Sequence, residues 1–173
     1  ITAEYSLLPT STSTRCQRER SKVSGRTQEI QRLIGRSLRS CVNLEKLGQR
    51  SIIIDADVIQ ADGGTRCASI CGGFIALKMA FDKMISEGTL AENPIIEPIA
   101  AVSTGIRNGE IILDLNYEED STAQVDSNSV MTLSGKVIEF QTTAEQSPYD
   151  IEEMYQIVNI SKDAIRKIIS MYP

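Results

Sequence analysis

The 173-residue chain contains no histidine, which removes every mechanism that depends on an imidazole. Serine-histidine-aspartate triads, histidine general bases and histidine-ligated zinc are therefore excluded. The four cysteines, Cys16, Cys41, Cys67 and Cys71, form no C-x-x-C pair. Cys67 and Cys71 would share a helix face, but without histidine or further cysteines we expect no metal site there. The simpler expectation is reduced cysteines that pack in the interior of a cytoplasmic protein.

Long apolar runs are missing as well. No stretch approaches the roughly 20 residues that cross a bilayer, so no membrane partner is expected. No signal peptide is visible, and the chain opens with Ile1, not methionine, directly in a strand-like segment. We therefore expect a fragment or a processed chain, from which N-terminal strands of the sheet are missing.

Charge is unevenly distributed along the chain, although the formal net charge is only −5. Residues 15–50 hold ten arginines or lysines against three glutamates, whereas the remainder holds eight basic residues against twenty acidic ones. An acidic protein with one basic segment suits a polyanion that lies along one surface. A helix with a solvated basic face explains the same charges equally well.

The pattern of apolar residues predicts a mixed α/β or α+β domain over residues 1–173. Asn108-Gly109 and Ser134-Gly135 mark turns between antiparallel strands, and a Ser- and Thr-rich stretch predicts a loop at residues 9–24. In chain order, the predicted elements are strand 1–8, helix 26–44, strand 51–60, helix 65–87, a hairpin within 97–117, strands 129–133 and 136–143, and helix 149–171.

The run Asp62-Gly63-Gly64-Thr65-Arg66 joins a predicted strand to the longest predicted helix. Two glycines let a backbone approach a ligand closely, and the helix directs N–H groups and its positive dipole end toward that ligand. A threonine hydroxyl and an arginine at this place suit a phosphate-sized anion. The run lacks the lysine and the spacing of a P-loop, and a tight turn with a surface arginine explains it as well.

Arg26 stands at the start of one predicted helix, as Arg66 stands at the start of the next. Helix N-termini that converge on one point form an anion site, and two guanidinium groups add charge to it. Phosphate is present in cells at around millimolar concentration. A site that binds it with a free energy of only about −4 kcal/mol would therefore be occupied. Both arginines are therefore candidate phosphate ligands.

Carboxylates are concentrated between residues 114 and 126. Asp120 and Asp126 stand six residues apart, across a stretch that predicts a loop. Two carboxylates on a loop can hold Mg²⁺ through oxygen ligands, or one of them can act as a general acid. A solvated acidic loop is the commoner explanation of an EED run, and it is the arginines nearby that favour a site for phosphates.

A resemblance to the ribonuclease PH family, the phosphate-dependent tRNA nucleotidyltransferases, extends over the whole chain. It is carried in order and spacing by TAEYSLLP, SGRTQEIQRLIGRSLR, IDADVIQADGGTRCASI and LDLNYEEDSTAQVDSNSVMT. Members have roughly 60 further residues before the point that corresponds to Ile1. The resemblance implies an α+β, ribosomal protein S5 domain 2-like β-α-β domain whose N-terminal strands are missing.

The same resemblance implies three groups of site residues, transferred position by position. They are Arg26, Gly64, Thr65 and Arg66 for phosphate, Asp120 and Asp126 for catalysis and Mg²⁺, and Arg15 and Arg18 for RNA.

The activity that the resemblance implies is phosphorolytic 3′-to-5′ trimming of tRNA precursors. Inorganic phosphate would attack the last phosphodiester in line and release a nucleoside diphosphate, while arginines and Mg²⁺ stabilise the developing charge. One of Asp120 and Asp126 would protonate the leaving 3′ oxygen. The family forms a homohexameric ring, a trimer of dimers, through which a single RNA strand can thread.

Two other functions stay open. A non-catalytic RNA-binding ring subunit of an exosome-like assembly would keep the fold but tends to lose the phosphate arginines or the catalytic carboxylates. Retention of Arg26, Arg66, Asp120 and Asp126 favours the enzyme. The third alternative is a chain that is inert because part of its sheet is missing.

Overall fold

A computed structural model describes residues 1–19 and 22–173 of the chain. Arg20 and Ser21, which belong to the predicted loop 9–24, lie outside the described residues. The strands of the described part are β1 (Thr2–Leu7), β2 (Ile53–Val58), β3 (Ile99–Arg107), β4 (Glu110–Leu113), β5 (Val125–Thr132) and β6 (Val137–Ala144). Its helices are α1 (Gly25–Ser40), α2 (Leu44–Leu47), α3 (Thr65–Ser86), α4 (Tyr117–Thr122) and α5 (Ile151–Ser170).

The mixed α+β class is confirmed, and the chain divides into two compact units. Unit 1 comprises Ile1–Ala61 and Ser69–Pro98, and unit 2 comprises Asp62–Ala68 and Ile99–Pro173. The first turn of α3 therefore belongs to unit 2, and the remainder of that helix belongs to unit 1. Because two compact units can form one domain or two, a single domain over residues 1–173 stays a prediction.

Unit 1 contains two parallel strands, which pair from Thr2 opposite Ile53 to Leu7 opposite Val58. Parallel neighbours need a long connection, and α1 lies within it. A β-carbon on Gly73 of α3 would stand 3.3 Å from both Ile54 and Leu38, so a glycine allows the helix to pack closely here. The largest fully buried side chains of this unit are Ile30, Leu33, Ile34, Leu38, Leu47, Ile70, Phe74, Leu77 and Phe81.

Helix α1 begins as predicted, because the Ser24 hydroxyl caps it by accepting a 3.2 Å hydrogen bond from Thr27 N. The helix ends at Ser40, four residues before the predicted end. The chain turns there, and Val42 forms an isolated antiparallel bridge with Ile95. Asn43 then caps the short helix α2, whose C-cap Gly48 lies in the left-handed region (φ +70°).

Unit 2 contains a four-stranded antiparallel sheet in the order β4-β3-β5-β6. The predicted hairpin is confirmed, since Asn108 and Gly109 join β3 to β4 with φ values of 54° and 76°. Helix α5 covers one face of the sheet. On that face Ile106, Val125 and Ile157 form a buried cluster.

The prediction of an acidic loop before residue 126 was wrong in two respects. Asp120 lies in α4, because Asn116 and Glu119 form a capping box, with hydrogen bonds of 2.9 Å from Glu119 N and 3.0 Å from Asn116 N. Asp126 lies on β5, which starts at Val125, four residues before the predicted strand. Pairing with β3 on one side and β6 on the other outweighs the low strand propensity of this polar segment.

The described ranges, 1–19 and 22–173, contain no helix with the length and apolar character that a membrane crossing requires. The four cysteines form no disulfide bond; Cys41 and Cys67 are buried, as expected of packing residues, whereas Cys16 and Cys71 are half-buried.

Candidate functional site

The predicted anion turn leads directly into α3, whose first residue is Thr65. Gly64 has a φ of +70°, which glycine adopts without strain, and its carbonyl accepts the first helical hydrogen bond from Ala68 N at 3.0 Å. A β-carbon on Gly64 would stand 3.3 Å from Ser103 Oγ, so the sheet also leaves little room for a side chain. Thr65 and Arg66 are half-buried at the N-terminal end of a 22-residue helix, where the dipole favours an anion.

Gly63, the first glycine of the pair, is required for a different reason. A β-carbon on Gly63 would stand 1.9 Å from the carbonyl oxygen of Leu115 and 2.8 Å from the carbonyl carbon of Asn116. The turn therefore lies directly against the backbone that enters α4. Asp62 strengthens this contact, because its Oδ1 accepts hydrogen bonds from Gly63 N at 2.9 Å and from Tyr117 N at 2.6 Å.

Asp126 lies on the sheet face that meets the start of α3. Side chains alternate along a strand, so Asp126 and Asn128 of β5 share one face. Asn128 Oδ1 accepts a 3.3 Å hydrogen bond from Cys67 Sγ in the first turn of α3, so this face is the one next to the turn. Asp126 is half-buried, and its cross-strand neighbour is Gly105, where a β-carbon would stand 3.0 Å from the side chain of Leu115.

Asp120 is held by the first turn of α4. Its N–H donates to Asn116 O at 2.9 Å, and its carbonyl accepts from Ala123 N at 3.2 Å. Asp62 of the anion turn binds Tyr117 N, three residues before Asp120 in the same helix. The structure thus brings five of the predicted site residues into unit 2, which are Gly64, Thr65, Arg66, Asp120 and Asp126.

Arg26 lies at the start of α1 in unit 1 and is exposed, so its part in the phosphate site stays a prediction. A carboxylate that sequence reasoning missed lies at the start of this helix. Glu19 accepts hydrogen bonds from Ser24 N at 3.0 Å and from Thr27 Oγ1 at 3.2 Å, and the bonds to Ser24 in particular lower the pKa of Glu19. The signal available in the sequence was a glutamate five residues before a serine N-cap.

The two arginines predicted to guide RNA lie in the exposed loop that follows β1. Arg18 lines a cavity of about 730 Å³, whose other charged residues include Glu4, Asp55 and Asp57. Asp55 and Asp57 share a face of β2. Arg15 is exposed in the same loop, and the role of both arginines stays a prediction.

Part of the basic segment 15–50 serves the fold of unit 1. Arg39 Nη1 donates to Ile1 O at 2.7 Å, which ties the end of α1 to the first residue of the chain. Arg50 donates to Leu47 O at 2.7 Å and to Thr89 O at 2.5 Å. These two guanidinium groups bind backbone carbonyls, so they contribute less to a surface for a polyanion than the charge count suggests.

The carboxylates available for a metal ion are few. Within the part of the chain that the structure describes, no group of three or more Asp, Glu, Cys or His side chains could hold a metal ion. Mg²⁺ is commonly held by only one or two carboxylates, with water and substrate phosphates as its other ligands. Binding of Mg²⁺ by the pair Asp120 and Asp126, with substrate oxygens as further ligands, stays a prediction.

Comparison with known proteins gives consistent matches along the chain. The model of the 3′ exoribonuclease family, domain 1, matches residues 1–81, and that of domain 2 matches residues 97–164. Ribonuclease PH of Neisseria gonorrhoeae (strain NCCP11945) is 57% identical over 171 residues, which cover 98% of this chain and 71% of that protein. Ribonuclease PH of Crocosphaera subtropica is 51% identical, with coverage of 99% and 71%.

A solved structure has a similar fold. A chain of the Archaeoglobus fulgidus exosome with RNA bound to the active site superposes with a TM-score of 0.76. The match covers 100% of this chain and 70% of that one, at 18% identity.

Proposed function

The chain belongs to the ribonuclease PH family, and on this premise we propose that it is a phosphorolytic 3′-to-5′ exoribonuclease that trims the 3′ ends of tRNA precursors. It is a nucleotidyltransferase, which moves the terminal nucleotide onto inorganic phosphate and releases a nucleoside diphosphate. The observation that carries this proposal is the common location in unit 2 of the anion turn and the two carboxylates that the family motifs indicate.

Phosphate binding is assigned to Gly64, Thr65 and Arg66, with Arg26 as a further ligand. The support for the first three is the left-handed glycine, the N-terminal end of α3 and the half-buried residue Arg66 in its first turn. A preorganised set of N–H donors and one arginine lowers the cost of collecting negative charge on the transferring phosphoryl group. Because the attacking phosphate is already a nucleophile, the reaction needs neither a covalent intermediate nor a histidine.

We assign two roles to the carboxylates of Asp120 and Asp126, namely general acid and metal ligand. Protonation of the leaving 3′ oxygen is assigned to Asp120 or Asp126, both half-buried in the same unit as the turn. Asp120 and Asp126 would also hold Mg²⁺, which would supply positive charge to the phosphate oxygens when bound.

RNA is the polymer substrate of this proposal, and Arg15 and Arg18 are assigned to its path. Both are exposed, as contacts to a phosphate backbone require. We further propose that the protein works in the cytoplasm as a homohexamer, a trimer of dimers. A ring of six chains would place six basic loops around one opening for a single strand.

The alternative is a non-catalytic RNA-binding subunit of an exosome-like ring. That subunit would need the fold and the basic loop but neither the phosphate ligands nor the carboxylates. This chain retains Arg26, Arg66, Asp120 and Asp126 together, which supports the enzyme.

The experiment that tests the proposal is incubation of the 173-residue chain with a tRNA that carries extra 3′ nucleotides, with and without inorganic phosphate. We expect nucleoside diphosphates to be released only when phosphate is present. Nucleoside monophosphates released without phosphate would indicate hydrolysis and contradict the proposal. RNA binding without any release, under conditions in which a longer relative is active, would favour the non-catalytic subunit or the inert chain.

A further inference from the structure

One carboxylate outside the predicted site residues connects the two halves of the site. Resting on the proposed function, we infer that Asp62 is a positioning residue, which holds the helix bearing Asp120 against the phosphate-binding turn. Asp62 is not a catalytic residue in this account, because its carboxylate binds backbone N–H groups of the protein.

The hydrogen bonds of Asp62 carry this inference. Its Oδ1 accepts from Tyr117 N at 2.6 Å, across 55 residues of sequence, and from Gly63 N at 2.9 Å. Tyr117 is the first residue of α4, and an N–H group in that position has no partner within its own helix. A carboxylate there also complements the helix dipole, and hydrogen bonds to a charged acceptor are stronger than neutral ones.

Close backbone packing acts together with the carboxylate. Gly63 lies against the carbonyl oxygen of Leu115, two residues before α4, with no room for a β-carbon. The helix itself has a second cap, the box formed by Asn116 and Glu119, which keeps its first turn formed without Asp62. The particular contribution of Asp62 is therefore the position of α4 relative to the turn, and not the formation of the helix.

The position of Asp120 follows from that of the first turn of α4. Asp120 N donates to Asn116 O at 2.9 Å, so a shift of the helix start moves the Asp120 carboxylate with it. Phosphorolysis breaks one phosphodiester bond. The attacking phosphate and the group that protonates the leaving oxygen must both be aligned with that bond. A displacement of about 1 Å in such an arrangement can cost about 100-fold in rate.

Three variants test the inference. Asp62→Ala removes the acceptor, and Asp62→Asn keeps an acceptor oxygen while removing the charge. Asp150→Ala is the matched control, because Asp150 precedes the first residue of α5 as an exposed N-cap residue of the same unit. For Asp62→Ala we expect kcat to fall about 10- to 100-fold, with a change in the KM for phosphate of less than about threefold. Asp62→Asn is expected to recover kcat to within about fivefold of the unmodified chain, and Asp150→Ala to leave both constants unchanged.

Amide hydrogen exchange gives a readout that does not depend on activity. In the 173-residue chain with inorganic phosphate as the only ligand, Asp62→Ala is expected to speed exchange at Tyr117 N by at least about tenfold. Exchange at the α5 amides should stay unchanged, and Asp150→Ala should leave Tyr117 unaffected.

Several results would overturn the inference. They are unchanged exchange at Tyr117 in Asp62→Ala, a kcat equal to that of Asp150→Ala, and no recovery in Asp62→Asn. A rise in the KM for phosphate with kcat unchanged would also overturn it, since it would make Asp62 a support of the turn alone. If the unmodified chain shows no phosphorolysis, the proposed function fails, whereas the exchange at Tyr117 still decides whether Asp62 positions α4.

Discussion

Gly63 lies so close to Leu115 that a β-carbon at position 63 would stand 1.9 Å from the Leu115 carbonyl oxygen. The two adjacent positions of the turn therefore require glycine for two different reasons. Gly64 adopts a left-handed conformation at the start of α3, whereas Gly63 allows two segments of backbone to touch. In the proposed function, only Gly64 contacts the phosphate directly.

Gly63→Ala is expected to destabilise the chain by about 3 kcal/mol, because a backbone carbonyl cannot yield the way a flexible side chain can. The free energy of unfolding, measured by urea denaturation, checks this. The control is Gly72→Ala, since a β-carbon at position 72 of α3 meets nothing within 4 Å. That change is expected to stabilise the helix by about 0.5–1 kcal/mol. Equal stability of the two variants would contradict the close packing of Gly63.

Arg66→Ala is expected to raise the KM for phosphate by about 10- to 100-fold, since a hydrogen bond to a charged group is worth about 1.5–3 kcal/mol. Initial rates of nucleoside diphosphate release over a range of phosphate concentrations provide the measurement. Arg166→Ala is the control, because Arg166 lies on α5 and its guanidinium group is 3.8 Å from Asp163. Unchanged activity of Arg66→Ala at limiting phosphate would remove Arg66 from the site.

Asp126→Asn is expected to abolish turnover while RNA binding stays nearly intact. An amide can neither donate the proton to the leaving oxygen nor hold Mg²⁺ as a carboxylate does. Single-turnover release and fluorescence anisotropy with labelled RNA separate the two effects. Asp163→Asn, an exposed change on α5, should alter neither. Loss of RNA binding with turnover retained at saturating RNA would argue against a catalytic carboxylate.

The double variant Arg15→Ala/Arg18→Ala is expected to weaken RNA binding and to make it less sensitive to salt. Each lost contact to a single-stranded backbone should reduce the slope of log K against log salt by about 0.7. Binding titrations between low and moderate salt give this slope. Lys83→Ala is a suitable control, because Lys83 pairs with Glu87 at 3.8 Å near the end of α3. An unchanged slope in the double variant would exclude both arginines from the RNA path.

From the buried thiol of Cys41 we predict how the free energy of unfolding changes at alkaline pH. Burial raises the pKa of this thiol from 9.0 to about 12, so the folded chain keeps the proton that the unfolded chain loses. The stabilisation is complete below pH 9 and is lost progressively as the pH rises from 9 toward 12, by about 1.4 kcal/mol for each unit. In Cys41→Ala this loss is absent, so the difference in unfolding free energy between the two proteins should shrink above pH 9. A difference that stays constant up to pH 11 would contradict the burial of the thiol.

Much of the fold could be predicted from local pattern. Helix α3 and the hairpin at Asn108-Gly109 follow from apolar spacing and turn chemistry, which depend on neighbours in sequence. Helix α4 could have been predicted too, because asparagine followed three residues later by glutamate is a capping signal. It was missed because an acidic run of this kind more often indicates a loop.

Strand β5 marks the limit of such prediction. Its first residues, Val125–Ser129, are mostly polar and have low strand propensity, and they become strand only because β3 and β6 pair with them from both sides. The position of Asp126 therefore depends on partners about 20 residues away on either side. The contact of Asp62 with Tyr117 spans a still longer distance in sequence.

The sequence by itself determined the family and the glycine turn before α3, and it predicts which residues bind phosphate, since these depend on residue type and short spacing. The tertiary structure alone decided that the Asp62 carboxylate binds the start of α4. It also decided that Gly63 touches backbone whereas Gly64 begins a helix. The physical reason is that hydrogen bonds between distant backbone groups and close packing between segments arise only when the chain has folded, and no local pattern encodes their distances.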